Sequence, residues 1–197
     1  MSAQKLFSER FRQTAALFRA ASEDASLIES LGRAAEASSA CLGRGGRVFI
    51  CGNGGSASQA THLSGELIGP FMDRARRALS AIPLGFDPAS LTACANDFGF
   101  DAAYARQLDG LGRAGDILWA LSTSGRSRNI VAAMRRAREM SITTVLLTNH
   151  DGGPCRVLAD HLLTTPVADT PRVQELHLLY GHCLCEWIEH ALTVDNG

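Results

Sequence analysis

His62 and Glu66 stand four residues apart, so on a helix they share one face. Gln174 and His182 stand eight apart, about two helical turns, and fall on one half of a helix surface. His, Glu, Gln and His are nitrogen and oxygen donors that suit a borderline divalent cation such as zinc. Glu and His are also the usual pair for moving a proton beside a carbonyl. The carboxylate takes a carbon-bound proton and the imidazole serves the oxygen. His150, His161, His177 and His190 lack such company and read as structural residues. Spacing alone does not bring the two pairs together; only the fold can.

Two loops offer the complementary half of a site. Cys51-Gly52-Asn53-Gly54-Gly55-Ser56 follows the apolar run Val48-Phe49-Ile50. Ser122-Thr123-Ser124-Gly125-Arg126-Ser127 follows Ile117-Leu118-Trp119-Ala120-Leu121. Each supplies small residues, hydroxyls and backbone N–H groups where a helix begins, which suits a phosphate ester. Together they favour a phosphorylated metabolite as ligand, with Arg126 and Arg128 as attractors of its charge. Gly52-x-Gly54-x-x-Ala57 also fits a loose dinucleotide fingerprint, but the nearest acid, Asp87, lies past the end of the second strand. A nicotinamide enzyme is therefore a minor alternative. No Gly-Lys-Ser/Thr follows either loop, which excludes a Walker-type site. Asn96-Asp97-Phe98-Gly99-Phe100 reads as a turn, with hydrogen bonding to sugar hydroxyls as the sharper alternative.

These residues need elements to hold them. Phe7, Phe11, Ala15 and Phe18 recur at helical spacing, and a second helix is predicted over 24–42. Strands are predicted at 47–51, 78–84, 116–121, 143–147 and 161–165, with Pro83 weakening the second. Helices are predicted at 56–68, around 88–95, 101–111, 127–140 and from Thr170 to about 192, and 149–153 is a turn. Strand–helix alternation with long crossovers implies an α/β fold: a five-stranded parallel sheet with helices on both faces, preceded by two N-terminal helices. Ligands on such sheets bind outside the carboxyl ends of the strands, where both loops fall. The chain reads as one domain, with 1–45 as N-terminal helices and 46–197 as the sandwich and last helix. The N-terminal helices are spare to the sheet and are candidates for an oligomer interface through Phe7, Phe11 and Phe18.

Composition bounds the partners. The chain has 197 residues and a net charge of −1, so no general basic face for nucleic acid is implied. The stretch Asp73-Arg74-Ala75-Arg76-Arg77 reads as a solvated loop. The six cysteines form no C-x-x-C pair and no disulfide framework, which fits a reducing cytoplasm. The first 13 residues lack the apolar run of a signal peptide, and no stretch approaches the ~20 apolar residues of a membrane span.

The two loops, His62-x-x-x-Glu66, Asn96-Asp97-Phe98-Gly99-Phe100 and Thr170-Pro171-Arg172-Val173-Gln174-Glu175 with His182 resemble the phosphoheptose isomerases. The resemblance runs in order from the N-terminal helices to the last helix. It implies a sugar-isomerase (SIS) domain, a flavodoxin-like three-layer sandwich, and interconversion of sedoheptulose 7-phosphate and D-glycero-D-manno-heptose 7-phosphate. This is the first step toward a nucleotide-activated heptose for bacterial surface polysaccharide such as lipopolysaccharide. It implies a homotetramer with active sites between subunits. Carried over by position, Asn53, Gly54, Gly55, Ser56, Asn96 and Asp97 would contact substrate, and Ser122, Thr123, Ser124 and Ser127 would hold the phosphate. His62, Glu66, Gln174 and His182 would bind one zinc ion per subunit, with Glu66 and His182 as the acid/base pair. Pro70 stands where the family often has Arg, which leaves Arg74, Arg76 or Arg77 as replacements; Pro171 stands where some members have an acid. The alternatives are an isomerase or sensor of another phosphosugar, and a non-catalytic relative of the replication-initiator-associating type. The latter lack the His/Glu pair that this chain keeps.

Overall fold

Val48–Gly52 and Ile117–Leu121 are apolar runs buried at every residue, as strands covered on both faces of a parallel sheet should be. The computed structural model describes residues 1–194. Its strands are β1 (Val48–Gly52), β2 (Ala81–Pro83), β3 (Ile117–Leu121), β4 (Thr143–Asn149) and β5 (His161–Thr165), in the order β2-β1-β3-β4-β5. Every pairing is parallel. The helices are α1 (Ala3–Glu23), α2 (Ala25–Gly43), α3 (Gly55–Ile68), α4 (Pro88–Phe98), α5 (Ala103–Leu111), α6 (Arg128–Glu139) and α7 (Thr170–Val194).

Alternation along the strands divides the core into two. Val48, Ile50, Trp119, Leu121, Val145 and Leu147 pack against α2, α3 and α7. Phe49, Cys51, Leu118, Ala120 and Leu146 pack against α5 and α6. The result is helix–sheet–helix layering, as expected for a doubly covered parallel sheet. Register sets the working edge. β1 and β3 pair from Val48↔Ile117 to Gly52↔Leu121, so the two strands end level and release their loops side by side.

The structure differs from sequence expectation in a few boundaries. The second strand keeps only Ala81–Pro83 of the expected 78–84. Leu79 N–H turns instead to the Leu67 carbonyl at the end of α3, 3.1 Å away. Pro83 is tolerated because β2 is an edge strand and Leu84 N–H makes the next bond to Ile50. The helix expected near 88–95 continues to Phe98 and stops at Gly99, whose φ of 81° suits glycine. Asn96 and Asp97 therefore lie in a last helical turn and not in a loop. A short 3₁₀ turn, Phe100–Ala102, precedes α5 where one helix over 101–111 was expected.

α1 meets the core at Ala21, its one buried residue among those described, with Leu17 packed beside it. Phe7 is 59% exposed and Phe11 77%.

His177 sits fully buried in α7, and neither ring nitrogen has a hydrogen-bond partner. The Thr148 backbone lies beside the ring without a well-formed bond. Burial pushes the imidazole down from 6.5 to about 4. The unfolded chain therefore binds a proton near pH 6.5 that the folded chain refuses until about pH 4. Stability should fall across that window by roughly 1 kcal/mol per pH unit from this residue. Urea unfolding from pH 7 to pH 4 measures the slope, and it should be shallower in His177→Leu.

Candidate active site

The loop after β1 must turn sharply to start α3. A Cβ on Gly52 would fall 2.6 Å from the Ser56 backbone, so only glycine allows the turn to close. Gly54, with φ 55°, then serves as the residue before the helix. The tight turn exposes Gly54 and Gly55 at the sheet edge and buries Ser56 in the first turn.

An asparagine pair joins this loop to the second one. Asn53 Nδ2 donates to Asn129 Oδ1 at 2.9 Å, and Asn129 Nδ2 donates to Asn53 Oδ1 at 2.8 Å. Asn129 is buried in the first turn of α6, and its Oδ1 also accepts Ile130 N–H at 3.0 Å. Tyr104 adds a third tie, donating its hydroxyl to the Gly52 carbonyl at 2.6 Å. Burial pushes the Tyr104 phenol up to about 12, so it remains a donor at neutral pH. A cleft of about 270 Å³ opens beside these residues, lined by Asn53, Gly54, Thr61, Phe86, Phe100 and Tyr104 among others.

The serine loop is braced from within. Ser122 continues the sheet by donating N–H to the Leu147 carbonyl at 3.0 Å. Its hydroxyl oxygen accepts Gly125 N–H at 3.1 Å, and that of Ser124 accepts Arg126 N–H at 3.2 Å. A hydroxyl used in this way keeps its own hydrogen to donate, which a phosphate oxygen requires. Ser127 begins α6 without a capping bond from its side chain. Arg126 pairs with Asp151, and Arg128 with Asp101 at 2.8 Å. Each arginine thus carries a carboxylate, which offsets the charge expected to attract an anion.

The His and Glu pairs meet where α3 crosses α7. His62 Nε2 lies 3.0 Å from His182 Nε2, and 3.3 Å from Glu66 Oε1. The ligand atoms of His62, Glu66 and His182 all fall within 4.8 Å of one another. Two imidazole Nε2 atoms and a carboxylate oxygen facing one point form a donor set that fits a zinc ion. Gln174 is placed higher on the crossing. Its amide donates to Ser56 Oγ at 3.2 Å, six residues before His62 along α3. Gln59 Nε2 in turn donates to the Gln174 carbonyl at 2.6 Å. Phe71 lies against His182, with ring centroids 5.7 Å apart.

Asn96 and Asp97 are exposed, joined to each other by a 2.7 Å bond from Asn96 Nδ2 to Asp97 Oδ1. Arg76 is not a replacement for the arginine missing at Pro70. Its side chain is 3% exposed and bound to Glu189 at 2.8 Å, so it cannot reach a substrate. Arg77 stays exposed and donates to the Leu42 carbonyl at 3.2 Å. The basic stretch expected to be a solvated loop is thus partly internal, because α3 ends there with carbonyls to satisfy.

Sequence reasoning missed Asn129, Tyr104, Gln59 and the Arg76–Glu189 pair. Asn129 carried a usable signal, since Asn is a poor residue inside a helix unless its amide has a task. Glu189 carried another, as an acid on the apolar stretch of α7 that follows His182.

Comparison with known proteins agrees with this fold. The SIS domain family model matches residues 11–149. A phosphoheptose isomerase of Bradyrhizobium sp. (strain BTAi1) is 46% identical over 184 residues, covering 93% of this chain and 92% of that one. The structure of a phosphoheptose isomerase from Francisella tularensis superposes with a TM-score of 0.92 at 33% identity, covering 96% of this chain and all of the other. That of phosphoheptose isomerase from Neisseria gonorrhoeae gives 0.89 at 35% identity, with coverage of 96% and 100%. With a matching family model, close relatives over nearly its whole length and the same fold, the chain belongs to the phosphoheptose isomerase family of SIS-domain proteins.

Proposed function

We propose that this chain isomerises sedoheptulose 7-phosphate to D-glycero-D-manno-heptose 7-phosphate. The convergence of His62, Glu66 and His182 within 4.8 Å carries the reading. The family's name gives the substrate, and the chemistry of the site fits it. A ketose becomes an aldose when a proton moves from C1 to C2 through a cis-enediol. Glu66 takes the proton from C1 and returns it at C2. His182 relays protons between the two oxygens. Ser122, Thr123, Ser124 and Ser127, with the first N–H groups of α6, hold the phosphate. Asn53, Gly54, Gly55, Ser56, Asn96 and Asp97 orient the sugar.

Zinc is the proposed cofactor, one ion per subunit, with His62, Glu66, Gln174 and His182 as its ligands. Bound there, it would polarise the substrate carbonyl. Gln174 must turn from Ser56 to join the other three. A carboxylate shared with a cation is a weaker base, so one Glu66 oxygen has to remain available for the C1 proton. The retained His/Glu pair disfavours a non-catalytic role.

The proposed assembly is a homotetramer with active sites between subunits. Its support is the exposed Phe7 and Phe11 face of α1 and the likeness to the family. No helix among the described residues is long and apolar enough to cross a membrane. The proposed setting is the cytoplasm, at the start of nucleotide-activated heptose synthesis.

NMR of the zinc-supplied protein with sedoheptulose 7-phosphate tests the reaction. Aldoheptose phosphate should accumulate, and an unchanged ketose would overturn the proposal. Glu66→Gln and His182→Ala should each lower kcat by about 10²–10⁴ with the fold intact. Near-parental rates in either would exclude the assigned roles. Asn129→Ala should cost roughly 1–3 kcal/mol in urea unfolding, because it strands the Asn53 amide. It should also raise KM, since Asn53 and the serine loop lose their common brace.

A further inference from the structure

Beyond the catalytic cluster, one buried ion pair ties the two helices that carry it. Arg76 and Glu189 side chains are 3% and 6% exposed and bond at 2.8 Å through Arg76 Nε. Besides one bond to the Arg77 carbonyl at 2.6 Å, the guanidinium serves the end of α3. It donates to the Glu66 carbonyl at 3.0 Å, to the Leu67 carbonyl at 2.9 Å and to the Gly69 carbonyl. A helix C-terminus leaves such carbonyls unpaired, and a cation there also suits the helix dipole.

Glu189 completes the link from the side of α7. Its carboxylate accepts the N–H groups of Phe71, Met72 and Asp73 at 3.1, 2.7 and 2.7 Å. Burial pushes this carboxyl up, but Arg76 and the three amides outweigh it and hold it below 4.5, so it is charged at neutral pH. Glu189 lies seven residues, two turns, beyond His182 on α7. The segment it grips carries Phe71, whose ring lies against the His182 imidazole. One pair therefore touches the backbone of Glu66 and, through Phe71, the ring of His182.

We propose that Arg76 and Glu189 are positioning residues that fix Glu66 and His182 relative to each other. Neither touches the reacting atoms. The claim rests on the proposed function for its consequence in catalysis, but the positioning itself is a property of the metal-free protein. Arg76→Lys keeps the charge but cannot serve three carbonyls and a carboxylate at once. Glu189→Gln keeps the shape and loses the anion.

The test uses three variants of the full chain: these two and Leu108→Ala, which damages the core on the opposite face of the sheet. Two quantities are read beside thermal stability. One is the His182 Cε1–H resonance in the metal-free protein, which senses the Phe71 ring. The other is zinc affinity, by competition with a chelator. In Arg76→Lys the resonance should move and zinc affinity should drop about 10–100-fold. Leu108→Ala should lose stability with neither change. If Arg76→Lys does not fold, Glu189→Gln gives the same readings. A parental resonance in the folded variant, or an equal movement in Leu108→Ala, would overturn the proposal. Should the parent chain neither bind zinc nor turn over the heptose phosphate, the functional reading fails. The resonance would then still decide the positioning claim.

Discussion

The close crossing of α3 and α7 is the constraint on which the rest depends. Gly181 lies against Leu63, and a Cβ at 181 would fall 2.5 Å from Leu63 Cδ1. Leu63 is wholly buried, so it cannot swing aside without opening the core. The neighbours of these two residues are His62 and His182, whose ring centroids stand 5.2 Å apart. The missing side chain at 181 thus lets two helices approach closely enough for their imidazoles to share one point. A helix pair spaced by ordinary side chains would hold them further apart.

The sheet determines what that point can act on. β1 and β3 end in register, so the glycine loop and the serine loop leave the same edge together. The Asn53–Asn129 amide pair then fixes their separation, because both side chains are committed to each other. The spacing of the two loops is therefore a property of the scaffold, not of flexible side chains. Buried polar groups serve this rigidity: Trp119 Nε1–H donates to Ser38 Oγ at 3.1 Å and anchors α2 to the sheet beneath.

Much of this was legible in the sequence where local rules dominate. Val48–Gly52 and Ile117–Leu121 read as strands because their apolar runs are unbroken. His62 and Glu66 read as one face because four residues make about one turn. The second strand was expected from 78, but Leu79 N–H bonds the Leu67 carbonyl at the end of α3, and only the Ser80 carbonyl reaches β1, accepting Val48 N–H at 2.9 Å. The remaining gaps are contacts between distant residues. Asn53 and Asn129 are 76 positions apart, Arg76 and Glu189 113, His62 and His182 120. No periodicity encodes such meetings. They follow from strand order and helix crossing, which pattern alone does not resolve. Arg76 illustrates the difference: as a residue in a basic run it reads as solvated, yet the unpaired carbonyls of α3 draw it inside.

The proposed site unites a phosphate-holding serine loop with a metal-suited cluster of His62, Glu66 and His182. The crystal structure of the zinc-loaded chain with sedoheptulose 7-phosphate tests that union directly. It should place zinc between His62, Glu66 and His182, at ~2.0–2.2 Å from their ligand atoms. The phosphate should rest on Ser122, Thr123, Ser124 and Ser127, with C1 and C2 beside Glu66. Zinc bound elsewhere, or a phosphate seated away from the serine loop, would contradict it.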